Sequence, residues 1–142
     1  MQVRQGVLES IAAHARRDDP RECCGLLIGT GTEVAEVVAT ANVALDPQRR
    51  YEIDPAAHCA EIRRWRDLPQ VGGVRWGVVG AYHSHPRSEA MPSPTDLEQA
   101  FEEFLYLIAG PVVAEGRIEI RGYRLRSGAF EEVALAGTRK AE

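Results

Sequence analysis

The sequence has no apolar run close to the roughly 20 residues that a helix needs to cross a bilayer. Stretches such as Cys23–Ile28 and Trp76–Tyr82 fall far short of it. Its N-terminal segment lacks the uninterrupted apolar core of a signal peptide, because Arg4 and Glu9 break the pattern. Membrane insertion is therefore excluded at this level, and a cytoplasmic location is expected. A surplus of positive charge is also missing. Lys and Arg total 17 against 21 Asp and Glu, giving a net charge of -4 and a pI near 5.6. Nucleic-acid binding draws on clustered cations that displace counterions from phosphate, so it is not expected here. Cysteine is scarce: Cys23, Cys24 and Cys59 supply neither an even disulfide set nor a CxxC pair. They read best as small buried residues. Internal repeats, low-complexity segments and an exposed heptad stripe are absent as well, so no oligomeric interface is read from the sequence.

What remains is a chain of 142 residues, 44% of them hydrophobic, enough to bury one core. Residues 1–136 are taken as a single domain and 137–142, "GTRKAE", as a loose tail. Residues 3–17 place Val3, Val7, Leu8, Ile11, Ala12 and Ala15 at helical spacing and stop at "DDP". "CCGLLIG" and "EVAEVVAT", separated by "TGT", predict a hairpin, and "RYEI" a further strand. "DPAAHCAEIRRWRDL" predicts a second helix with Asp54 as N-cap, Pro55 at its first position and a buried stripe of Ala57, Ile62 and Trp65. "WGVVGAYH" reads as a central strand buried on both faces. "SPTDLEQAFEEF" opens a third helix at an N-cap Ser93. "LYLIAG", "RIEIRGYRLR" and "AFEEVAL" close the chain as strands, the last two joined around "SG". The fold class expected is α/β (α+β), a single-domain sandwich of a mixed sheet with about three helices.

The chemistry concentrates in "YHSHPRSEAMPSPTDLE", residues 82–98. If the strand runs through His83 and His85, both imidazoles point to the same side, since strand side chains alternate with period two. The proline-punctuated loop from Pro86 to Pro92 can then bring back Asp96 from the first turn of the next helix. Two His and one carboxylate leave a coordination position for water, the arrangement of catalytic rather than structural zinc sites. Each fragment also has a plain structural reading: HxH as ordinary surface or core residues, Asp96 as a helix-dipole partner, Ser93 as an N-cap. His14 and His58, on predicted helices, are read as solvent-facing, and Arg87, Ser88 and Glu89 as ordinary loop polarity.

The joint spacing, His-x-His, seven residues, Ser, two residues, Asp, resembles the JAMM motif of the MPN metalloprotease family. "HARRDDPRECCGLLIG" and "YEIDPAAH" are similar to the family's upstream segments, so the likeness runs over most of residues 3–125 and is densest at 83–96. It implies an MPN/JAMM-like, cytidine-deaminase-like fold. It implies that His83, His85 and Asp96 bind zinc, that Glu22 is the general acid/base, and that Ser93 hydrogen-bonds the developing oxyanion. Without the family, Glu22 reads as an ordinary surface acid beside a strand. At Ala81 the chain departs from the bulky aromatic of many relatives.

The chain looks most like the small stand-alone prokaryotic members. They imply a metallopeptidase or isopeptidase cutting after the C-terminal Gly-Gly of a ubiquitin-like or sulfur-carrier protein. Two alternatives stand beside this. One is a non-catalytic MPN-type scaffold; the other is a non-haem iron enzyme using the same 2-His-1-carboxylate set. The H-x-E and P-C-x-x-C signature of zinc deaminases is absent.

Overall fold

The computed structural model describes residues 1–70, 72–113 and 116–138. Its centre is a mixed sheet of eight strands among the described residues, in the order β7-β6-β5-β4-β2-β3-β1-β8. In chain order these are β1 (Gln2–Arg4), β2 (Cys24–Gly29), β3 (Glu33–Thr40), β4 (Gly77–Ser84), β5 (Leu105–Val112), β6 (Ile118–Arg126), β7 (Ala129–Val133) and β8 (Ala136–Thr138). Three helices accompany them: α1 (Gln5–Asp18), α2 (Pro55–Asp67) and α3 (Pro94–Gln99). Among the described residues no helix is long and apolar enough to cross a membrane.

β2 and β4 pair antiparallel at the middle of the sheet, and β4 runs parallel to β5. Side-chain alternation sorts these central strands into two faces. One face carries Leu27, Tyr82, Leu105 and Leu107, packed with Val7, Ile11 and Ala15 of α1 in the main core. The opposite face carries Leu26, Ala81, His83 and Tyr106. A parallel β4–β5 pair needs a crossover. That crossover, residues 85–104, contains α3 and the proline-punctuated loop.

Close approach of the strands fixes two glycines. A Cβ on Gly80 would meet the Leu105 backbone carbonyl, and one on Gly25 would run into the ring of Tyr82. The Tyr82 hydroxyl is itself held on the far side, 2.7 Å from Nδ1 of His14, whose Nε2 lies 3.2 Å from an Asp18 carboxylate oxygen. Gly25→Ala must push this ring out of place. Overpacking of this kind should lower unfolding stability by about 1–3 kcal/mol, which urea denaturation would register.

Several expectations need correcting. Gln2–Arg4 is a strand, because Val3 is fully buried and the segment pairs in parallel with both β3 and β8. The helix begins only after it. "RYEI" contributes a single bridge, Asn42 to Ile53, and no strand. α2 has the expected Asp54 cap, accepting from the Ala56 N–H at 3.0 Å, but it buries no residue. Of the expected stripe Ile62 is exposed and Ala57 and Trp65 are half-buried, as are His58 and Glu61, since the helix leans on the start of β4 through Trp65. His14 is buried rather than solvent-facing, and Cys59 is exposed, unlike Cys23 and Cys24. α3 ends at Gln99, so Phe101 and Phe104 belong to the connection into β5. Of the tail expected from Gly137, Gly137 and Thr138 lie in β8, and 139–142 fall outside the described residues.

Candidate active site

β4 delivers His83 near its end and His85 just beyond it. The chain continues close to the sheet there, because the His85 N–H donates to the Ala109 carbonyl of β5 at 2.7 Å. The two Nε2 atoms converge to 3.1 Å. Asp96 is brought to the same point by the first turn of α3, where a capping box is complete. The Ser93 Oγ accepts from the Asp96 N–H at 3.0 Å, and an Asp96 carboxylate oxygen accepts from the Ser93 N–H at 2.8 Å. That same Oδ2 lies 3.2 Å from Nε2 of His83 and 3.2 Å from Nε2 of His85. All three side chains are buried.

Around this triangle the supports differ. His85 Nδ1 lies 2.9 Å from the Glu89 carbonyl. A carbonyl can only accept, so Nδ1 carries a proton, and Nε2, which faces Asp96, has a lone pair to offer a metal only once it has lost its own. His83 is held by the ring of Tyr51, stacked at 4.2 Å between centroids, while its Nδ1 has no hydrogen-bond partner among the described residues. Glu22 precedes β2, where Cys24 pairs in register with His83. Its backbone is clamped on both sides: the N–H donates to Pro47 at 2.7 Å, and the carbonyl accepts from the Asn42 amide at 2.9 Å. Its carboxylate is buried, has an Oε1 without a partner among the described residues, and comes within 4.8 Å of a ring nitrogen of His83 and of His85.

The electrostatics separate these groups. Burial pushes the Glu22 carboxyl up from 4.5 to about 7; nearby Asp96 and Asp46 add to this, and His85 opposes it. Burial would also raise Asp96, but hydrogen bonds from both imidazoles hold it well below the usual carboxylate range. Burial lowers His83 and outweighs its Asp96 partner. For His85 burial likewise lowers the pKa, yet Asp96 and the Glu89 carbonyl outweigh it and leave it raised.

A metal fits this donor set. Ligand atoms roughly 2.0–2.1 Å from one tetrahedral zinc lie about 3.3 Å from each other. The His83, His85 and Asp96 atoms, 3.1–3.2 Å apart, already approach that spacing. A Glu22 carboxylate oxygen lies within 4.8 Å of the histidine nitrogens.

In metal-free protein the raised Glu22 pKa has a consequence for stability. The folded chain keeps a proton that the unfolded chain releases near pH 4.5, so this contribution is lost as pH rises from about 4.5 to about 7. Glu22→Gln, neutral throughout, should match the parent at pH 4, below the unfolded pKa. It should exceed it by about 1–3 kcal/mol at pH 8 in metal-free urea titrations.

The family described as prokaryotic homologs of the JAB domain matches residues 4–124. This chain belongs to that family. Among curated relatives of this JAB-domain protein is the desampylase of Haloferax volcanii, 33% identical over 90% of this chain and 89% of its own. Another, from Thermus thermophilus, is described as a probable TtuB-protein conjugate cleaving protease. It is 35% identical over 94% of this chain and 80% of its own. A JAB1/MPN domain protein from Archaeoglobus fulgidus, solved by crystallography, superposes with a TM-score of 0.58 at 26% identity, over 96% of this chain and 98% of that one.

The structure thus brings together every residue that the motif singled out: Glu22, His83, His85, Ser93 and Asp96. Tyr51 and Asn42 escaped the sequence reading, and so did the backbone of Glu89, because no local pattern marks a ring that stacks from a distant loop. Tyr51 lies in "RYEI", which alternation suggests is a strand; Asn42 closes β3 and braces the 42–52 loop through Ala44 and Glu52.

Proposed function

We propose that this chain is a zinc-dependent isopeptidase of the cytoplasm, hydrolysing the amide bond that follows a C-terminal Gly-Gly on a ubiquitin-like or sulfur-carrier protein. The observation that carries the reading is the triangle of His83, His85 and Asp96 with the buried carboxylate of Glu22 beside it, its Oε1 without a partner among the described residues. The relatives' descriptions, a desampylase and a protease of protein conjugates, support the substrate class. His83, His85 and Asp96 would hold the ion through Nε2, Nε2 and a carboxylate oxygen. Zinc in such a site lowers the pKa of water to roughly 7 and polarises a carbonyl.

The chain's own residues do the rest. Glu22, its carboxyl raised to about 7, takes a proton from the attacking water and passes it to the departing amine. Ser93 uses a lone pair for its cap, so its hydroxyl hydrogen stays free to donate to the oxyanion. Ser93→Gly tests that role: the cap changes by only a few tenths of a kcal/mol. Loss of the donor should reduce kcat about 10²–10³-fold.

Incubation of zinc-loaded protein with Gly-Gly-tailed carrier conjugates, read by intact mass, tests the whole reading. The expected products are the free carrier ending in a Gly-Gly carboxylate and the released amine, together heavier than the conjugate by one water. If conjugates across the carrier class stay intact under zinc loading, the proposal fails.

A further inference from the structure

Beside the candidate site lies a cavity of about 380 Å³ that the mechanism does not use. Its floor is the row of register partners Leu26, Ala81 and Tyr106 across β2, β4 and β5, on the same face as His83. Tyr51 is a shared wall, lining this cavity while stacking on His83. Phe101 and Phe104 form the rim. Their rings meet edge to face at 5.7 Å, and the Phe101 N–H is pinned by the Tyr106 hydroxyl at 2.7 Å. Phe101 is 60% exposed, an aromatic ring left in water at the mouth. Apart from His58 and the exposed Glu52, the lining offers no ionisable group but tyrosine, so it suits an uncharged side chain.

Position along the strand says which part of a substrate would reach it. Glu22 precedes Cys24, the partner of His83, in an antiparallel pair, so it lies toward the His85 end of β4. Ala81 lies two residues from His83 in the opposite direction, toward the middle of β4. The group that protonates the leaving amine and the cavity thus flank His83 on opposite sides, and the acyl chain extends toward the cavity. From His83 to Ala81 is one pleat repeat, about 7 Å at 3.3–3.4 Å per residue. Two extended glycines span the same length.

We infer that the Leu26–Ala81–Tyr106 cavity is a specificity pocket for an apolar side chain immediately before the Gly-Gly of the acyl donor, and that Ala81 sets its depth. This rests on the proposed function, since it needs a tail that ends in Gly-Gly at the metal. A larger residue at 81 would fill the floor next to His83 without touching the triangle.

Two measurements keep the inference and that reading apart. Binding is followed by NMR on the full-length chain, using the Ala81 methyl and the Tyr51 ring, with acetyl-Leu-Gly-Gly, acetyl-Phe-Gly-Gly, acetyl-Lys-Gly-Gly and acetyl-Gly-Gly-Gly as probes. The Leu and Phe peptides should bind at least about tenfold more tightly than the Gly and Lys peptides, equivalent to about 1.4 kcal/mol. Ala81→Leu should remove the difference while the histidine ring signals stay in place. Equal affinities for all four peptides, or shifts that avoid Ala81 and Tyr51, would overturn the pocket. Turnover of carrier conjugates is then measured with the same residues varied before Gly-Gly. Cleavage that is indifferent to that residue overturns the pocket and leaves the isopeptidase standing. Selective binding with no cleavage of any conjugate overturns the isopeptidase and leaves the pocket standing.

Discussion

Glu22→Gln is expected to retain its metal and to hydrolyse Gly-Gly-linked conjugates about 10²–10⁴-fold more slowly than the parent chain. Gln keeps the size of the side chain and the backbone clamp to Pro47 and Asn42, but it cannot accept and return a proton. The loss should fall on kcat, because Glu22 acts on protons in flight and not on the resting substrate. Metal analysis after dialysis, paired with single-turnover mass spectrometry, checks both halves. Unchanged turnover would remove Glu22 from the mechanism, and lost metal would make it a ligand instead.

The second large effect belongs to Asp96. Its Oδ2 serves both imidazoles and the Ser93 N–H at once, so Asp96→Ala takes away a proposed ligand and half of the capping box together. Metal content should fall from about one ion per chain, the stoichiometry of a single site, to background. Hydrolysis should go with it. A ligand at 1,000 times its Kd stabilises a folded protein by about 4 kcal/mol, so added zinc should raise the parent's melting temperature clearly. It should leave the variant's unmoved. A variant that still binds zinc stoichiometrically would show that Glu22, the next carboxylate to the two histidines, supplies the third ligand instead.

The grouping of His83, His85 and Asp96, the proposed ligands, was readable because they are close in sequence: period-two alternation aims His83 and His85 together, and the N-cap pattern at Ser93 returns Asp96. Glu22 was assigned only through the family's pattern. Nothing in its own neighbourhood says that β2 pairs with β4 and so carries a residue 61 positions upstream to the histidines. The fold was legible where one face of an element is uniformly apolar, as in β2, β4 and α1. It was not where pairing partners are distant. β1 exists because β3 and β8 flank it, and helical spacing in three residues cannot compete with two ladders. α2 kept its start signal but not its stripe, since an N-cap acts within one turn and burial depends on what lies opposite. His14 reversed for the same reason: Tyr82, 68 residues on, turns a helix-surface histidine into a buried hydrogen-bond partner.

The supports of the three proposed ligands are unequal, and that gives the site a direction of opening. His83 belongs to a central strand whose reverse face is locked by Tyr82 against α1, so its amide should exchange with solvent only when the whole domain unfolds. Asp96 sits in a helix of six residues, far below the length that holds together by itself in water. Brief melting of that short helix would detach one corner of the triangle and leave the other two in place. An ion would then come and go on the α3 side, and the six-residue helix would be its gate.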